Sequence, residues 1–179
     1  MDTKRETLLP LATYASVATA ILLVGLKTWA WLASGSVSLL ASLVDSLTDS
    51  LASIVNLFAV RLALRPADDN HPFGHGKAES LSALAQSAFI GGSAVFLLLN
   101  AVERLLHPQP LQQTTLGIAV MLVSLLLTLA LVLFQRWVLR RAQSQAVSAD
   151  SLHYVTDFAS NIVVLVALVL AAWGWQRAD

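Results

Sequence analysis

The stretch VSLLASLVDSLTDSLASIVNLFAVRLAL, Val37 to Leu64, decides the fold. It exceeds the roughly 20 apolar residues that a helix needs to cross a bilayer, yet it carries Asp45 and Asp49 near its middle. Residues 11–33, 81–106 and 116–139 have similar length and character, and hydropathy alone places a fifth segment over Leu152 to Trp175. In lipid every backbone amide must be paired within its own segment, so all five read as helices. The expected fold class is all-α, an integral membrane helical bundle of five transmembrane helices forming one domain over residues 1–179.

Composition agrees. Of 179 residues, 56% are hydrophobic and 12% charged, against about a quarter charged in ordinary soluble domains. Eleven basic and eleven acidic side chains cancel, so no nucleic-acid partner is expected. Cysteine is absent, which leaves oxygen and imidazole nitrogen as the only strong metal ligands. The first segment lacks a signal-peptide cleavage pattern and reads as a permanent helix.

Lysine and arginine set the expected orientation, because cytoplasmic flanks are enriched in both. With the N-terminus in the cytoplasm, that side receives Lys4, Arg5, Arg61, Arg65, Lys77, Arg136, Arg140 and Arg141, and the outer side only Arg104 and Arg177. Lys27 stays inside the first helix, and five crossings put the C-terminus outside. Trp29, Trp31, Trp137, Trp173 and Trp175 fall near helix ends, where indoles anchor at the interface.

Asp45 and Asp49 are four apart and therefore share one helix face. An ionisable side chain at the bilayer centre costs about 2.5 to 3.5 kcal/mol on insertion scales, so the pair calls for a cation or protons. The fifth segment repeats the spacing as His153 and Asp157. Facing each other, these four residues offer three oxygens and one nitrogen, a set suited to tetrahedral Zn2+. The same ligands must shed protons to bind metal, so reprotonation can release it. The plainer alternative is structural pairing of the aspartates with neighbouring Ser46, Thr48 and Ser50, and of His153 with Asp150 one turn earlier.

Hydropathy sets the two pairs at different depths. About 10 Å must close, which requires the fifth helix to begin near Arg141 to Ser148, giving a helix over about residues 142–175 whose polar first turns line a cytoplasmic cavity. In the loop Pro66 to Glu79, Asp68, His71 and His75 can form a three-ligand site, or the Pro and Gly residues can simply reverse the chain. Gly91-Gly92-Ser93 is expected to allow close helix packing, and Asn56, Gln86 and Asn100 to hydrogen-bond between helices.

Together these residues resemble the cation diffusion facilitator family. The resemblance rests on Gly35-Ser36-Val37-Ser38, Leu43-Val44-Asp45 to Asp49, Pro66-Ala67-Asp68-Asp69-Asn70-His71, Gly74-His75-Gly76-Lys77-Ala78-Glu79, Phe134-Gln135-Arg136-Trp137, and Asp150-Ser151-Leu152-His153-Tyr154 with Asp157. It implies a homodimeric zinc/proton antiporter of the bacterial inner membrane, with cadmium or ferrous iron as further cargo. Its transport site would be Asp45, Asp49, His153 and Asp157, with a secondary zinc site at Asp68, His71 and His75. Family members continue into a sixth membrane helix and a cytoplasmic ferredoxin-like domain, both absent from a sequence that stops at Asp179. A truncated, non-transporting metal-binding or assembly protein therefore stays open as an alternative. An enzyme is not expected: an intramembrane metalloprotease needs a string such as H-E-x-x-H, which this chain lacks.

Overall fold

The computed structural model describes residues 3–35, 37–106 and 115–172. They form five helices, α1 (Thr3–Ser34), α2 (Val37–Ala63), α3 (Lys77–Leu106), α4 (Thr115–Leu139) and α5 (Gln145–Ala172), and no strand occurs among them. The segments Arg5–Ser34, Leu39–Ala63 and Leu116–Leu139 are long and apolar enough to cross a membrane. Apolar side chains cover the outside of the bundle, including Ile21, Phe58, Leu84, Phe96 and Leu126. In water such a surface would aggregate; in lipid it faces a solvent as apolar as itself.

The helices close into a ring. α1 packs on α2, α2 on α3, α3 on α5, α5 on α4, and α4 back on α1, while α2 and α5 also meet across the interior. One end of the ring, here called the loop end, gathers the starts of α1, α3 and α5 with the end of α2. Arg5 of α1 reaches Glu79 of α3 at 3.1 Å, Glu79 accepts the backbone N–H of Gln145 at 3.2 Å, and the Arg61 guanidinium lies 5.0 Å from the Tyr14 ring centroid. An apolar cluster of Leu9, Ala12, Val60, Val138, Ala142, Ala146 and Val147 packs this end, its alanines letting helix backbones approach closely. At the opposite end Gly35 terminates α1: its φ of 64° is a left-handed value glycine adopts freely, and its N–H closes on Trp31 O at 2.8 Å.

Three helices start earlier than hydropathy indicates: α1 at Thr3, α3 at Lys77 and α5 at Gln145. Hydropathy fades where polar residues begin, but the helical backbone continues because its free N–H groups find acceptors, Glu79 serving α5. Trp173, Trp175, the C-terminus and most of the link after α3 lie outside the described residues, as does the Asn100 side chain.

Interior polar groups tie the ring together. Asn56 accepts from Ser82 at 3.0 Å across α2 and α3, and Ser53 pairs with the Tyr154 hydroxyl at 2.9 Å across α2 and α5. Asp150 is fully buried, and its carboxylate accepts from Ser16 at 2.6 Å, Gln135 at 2.7 Å and Gln86 at 2.8 Å. One side chain thus joins α5 to α1, α4 and α3. The alternative in which Asp150 pairs with His153 is not made: its oxygens are taken by donors from three other helices. Among the described residues, close packing at Gly91-Gly92 is not made either, since a Cβ added at either would meet nothing within 4 Å.

Removing the shared acceptor breaks three buried hydrogen bonds at once; Ser16 and Gln135 retain Ala12 O and Ser16 Oγ as acceptors, while the Gln86 amide is stranded at a cost of about 1 to 3 kcal/mol. Asp150→Ala should lower the unfolding free energy in mixed micelles by about 3 kcal/mol or more. The control Ser160→Ala, whose hydroxyl returns only to Thr156 O of its own helix at 3.0 Å, should stay within about 0.5 kcal/mol.

Candidate metal centre

Where α2 and α5 meet across the ring, Asp49, His153 and Asp157 converge. His153 Nε2 lies 3.0 Å from Asp49 Oδ1 and 3.6 Å from Asp157 Oδ2. One ligand atom from each of the three residues falls within 4.8 Å of the other two. Ligand bonds of about 2.1 Å at tetrahedral angles imply ligand–ligand separations of about 3.4 Å, which the two short distances bracket. Asp157 Oδ2 is buried without a hydrogen-bond partner. Buried carboxylate oxygens are ordinarily satisfied, so an orphan beside an imidazole leaves room for a water, a proton or a cation.

Helical spacing accounts for each position. His153 and Asp157 stack one turn apart on α5, and Asp45 and Asp49 likewise on α2. Asp45 is exposed and lies outside the group of three. The structure therefore brings together Asp49, His153 and Asp157, and leaves Asp45 as the neighbour one turn away.

The depth mismatch closes through the early start of α5. At 1.5 Å per residue, His153 lies about 12 Å along α5 from Gln145, and Asp49 about 21 Å along α2 from Ala63, so for parallel axes α5 starts about 9 Å deeper. Above its recessed start opens a cavity of about 890 Å³ lined by Arg5, Glu79, Ser80, Gln145, Ser148 and Leu152, among others. Its wall ends at Leu152, one residue short of His153, and none of the metal-site side chains lines it. A cavity does lie at the first turns of α5, but it opens between α3 and α5 rather than onto the ligands.

In the α2–α3 loop, Asp68, His71 and His75 also form a group within 4.8 Å. Asp68 Oδ1 lies 3.1 Å from His71 Nδ1, and Asp68 Oδ2 lies 3.5 Å from His75 Nε2. The carboxylate accepts the backbone N–H of His71 at 2.7 Å and of Asn70 at 3.1 Å, which folds the segment into an Asx turn. Gly74, with φ of 76°, makes the next reversal and brings the two imidazole centroids to 4.5 Å. His75 Nδ1 is buried without a partner. Chain reversal and ligand convergence are products of the same turn here, so the two readings of this loop are compatible.

Sequence reasoning passed over Lys27, whose ammonium donates to Ser42 O and Ser46 Oγ on α2. It also passed over Glu79 as the link between α1, α3 and α5. Lys27 had a signal in its isolation within an apolar helix; nothing local marks Glu79.

A helical membrane bundle with carboxylate and imidazole ligands converging from two facing helices is the class these features define. The chain matches the cation efflux transmembrane domain over residues 13–179 and belongs to that family. It is 56% identical over 168 residues to the cation-efflux pump FieF of Klebsiella pneumoniae (strain 342), and equally to those of Citrobacter koseri and Escherichia coli (strain K12 / DH10B). Each alignment covers 94% of this chain and 56% of the relative, so the chain spans little more than half the length of these pumps.

The His71 backbone N–H aimed at Asp68, assisted by the imidazoles, holds that carboxyl below the usual carboxylate range. The turn is built on the ionised form. Its stabilisation is complete above the ordinary value of about 3.9 and fades as pH falls through the depressed one. A carbon-13 titration should therefore find Asp68 still mostly ionised at about pH 3.9, where an unperturbed aspartate is half protonated. A midpoint at or above that value would contradict the Asx-turn assignment.

Proposed function

We propose that this protein exports a divalent metal cation, zinc first, from the cytoplasm in exchange for protons. Cadmium and ferrous iron are further candidates, since the same oxygen and nitrogen ligands accept them. The observation that carries the reading is the convergence of Asp49, His153 and Asp157 from facing helices, with an unpartnered Asp157 oxygen in their midst. Asp45 is the fourth ligand in this reading, on the same face of α2 as Asp49 and one turn away. Asp68, His71 and His75 form a secondary site in the α2–α3 loop.

Carboxylate and imidazole bind metal only after losing protons. Metal loading therefore ejects protons and protonation ejects metal, so alternate exposure of one site to the two sides couples the flows. The setting is the inner membrane of a bacterium, with a homodimer as the working unit. The N-terminus faces the cytoplasm: Arg5, Arg61, Lys77, Arg140 and Arg141 fall at or beside the helix termini of the loop end, and cytoplasmic flanks are rich in such residues. The FieF relatives are named as cation-efflux pumps, which supports a transporter over an enzyme.

Zinc uptake into inside-out vesicles tests the proposal. Asp49→Ala and Asp157→Ala should each cut the initial rate more than about tenfold, as expected when a ligand itself is removed. His71→Ala should retain most of the flux, and acidifying the loading side should slow the unmodified protein. Undiminished flux in both aspartate variants would dismiss the site, and a rate indifferent to pH would dismiss the exchange.

A further inference from the structure

Lys27 lies within α1 as an ammonium at membrane depth. The nearest end of α1 is about 10 Å away along the axis, and a lysine so placed ordinarily turns its head towards the surface. This one does not. Its Nζ donates to the Ser42 carbonyl at 3.2 Å and to the buried Ser46 hydroxyl. Ser42 and Ser46 sit about 8 and 14 Å along α2 from the same end of the bundle, so the ammonium stays level with its own backbone instead of reaching for the surface.

On a helical projection Ser42, Asp45, Ser46 and Asp49 fall within an arc of about 100°. The two lysine acceptors therefore share a face of α2 with both aspartates, and the ammonium is in electrostatic reach of Asp45, Asp49 and Asp157. No direct lysine–carboxylate ion pair forms among these described groups. The serines hold the charge beside the acids while leaving their oxygens free to coordinate.

Charge balance gives that arrangement a purpose. Asp45, Asp49 and Asp157 carry three negative charges when ionised, and a dication neutralises only two. A residual charge is costly in a low-dielectric bundle. One tethered ammonium makes the loaded site neutral, and in the absence of metal it offsets part of the carboxylate charge.

We propose that Lys27 is a built-in counter-cation of the metal site, sharing the three carboxylates with the bound dication and holding its affinity below what the ligands alone would give. The proposal rests on the reading of Asp45, Asp49, His153 and Asp157 as the cation site. Lys27 is a positioning and charge-setting residue; it touches no metal ligand.

The test is calorimetric titration of zinc alone into the purified protein in detergent, with His71→Ala and His75→Ala in the background to silence the loop. At fixed pH, Lys27→Met should bind zinc about tenfold more tightly, because a positive charge facing the dication has gone. Lys27→Arg, which keeps the charge, should stay within about twofold of the parent. Lys27→Gln removes the charge while keeping a donor for Ser42 and Ser46, so it should tighten binding even if Lys27→Met fails to fold. A purely structural lysine predicts the opposite sign: weaker or unchanged affinity in the neutral variants overturns the proposal. Asp49→Ala in the same background separates the two levels, since persistence of the zinc isotherm there removes the underlying site whatever Lys27 does.

Discussion

A carboxylate inside a bilayer must be met by something, at a cost of about 2.5 to 3.5 kcal/mol when it is not. Asp45 and Asp49 lie on α2, Asp150 and Asp157 on α5, and those two helices meet across a closed ring. The solutions differ in kind. Asp150 is saturated, both oxygens accepting from side chains on three neighbouring helices. Asp49 and Asp157 instead meet the single Nε2 of His153, and one Asp157 oxygen is left without a partner. A buried carboxylate whose donors come from the protein is finished and acts as a joint. One that leaves an oxygen unclaimed has room for a cation or a proton, and the two acids on one helix differ in this respect.

The joint positions the site. Asp150 lies one turn before His153, so holding it against α1, α3 and α4 also fixes which face of α5 turns to α2. At the loop end, Glu79 does comparable work by accepting the first N–H of α5 while pairing with Arg5. α5 is thereby pinned at its start and again at Asp150. His153 meets Asp49 at hydrogen-bond distance because the helix carrying it is located from two independent directions.

Periodicity made the ligand faces legible from sequence: residues four apart share a face on any helix, and Asp45 with Asp49 and His153 with Asp157 follow that rule without tertiary information. Helix number was legible for a similar reason, because lipid allows apolar segments little choice of conformation. Helix starts were legible only where a depth argument replaced hydropathy: matching His153 to Asp49 put the start of α5 near Arg141 to Ser148, and it lies at Gln145. Hydropathy ends at Leu152, whereas α5 begins at Gln145, since what extends it is an acceptor from another helix far away in sequence. The partners of Asp150 were not legible from sequence for the same reason. His153 was the nearest candidate along the chain, but Ser16, Gln86 and Gln135 are nearest in space, and no local pattern encodes that.

Under the proposed reading, exchange follows from the geometry of one contact. His153 Nε2 and Asp49 Oδ1 are close enough to share a proton, and the same two atoms are the natural metal ligands. A proton and a dication cannot hold the same lone pairs together. Competition for the site is then a property of its atoms and needs no separate proton pathway between distinct binding places. What the protein must add is a way to present these atoms to one side at a time. Ser53 with Tyr154 and Asp49 with His153 link α2 to α5 across the ring, so any shift of α5 against α2 alters the ligand cluster directly.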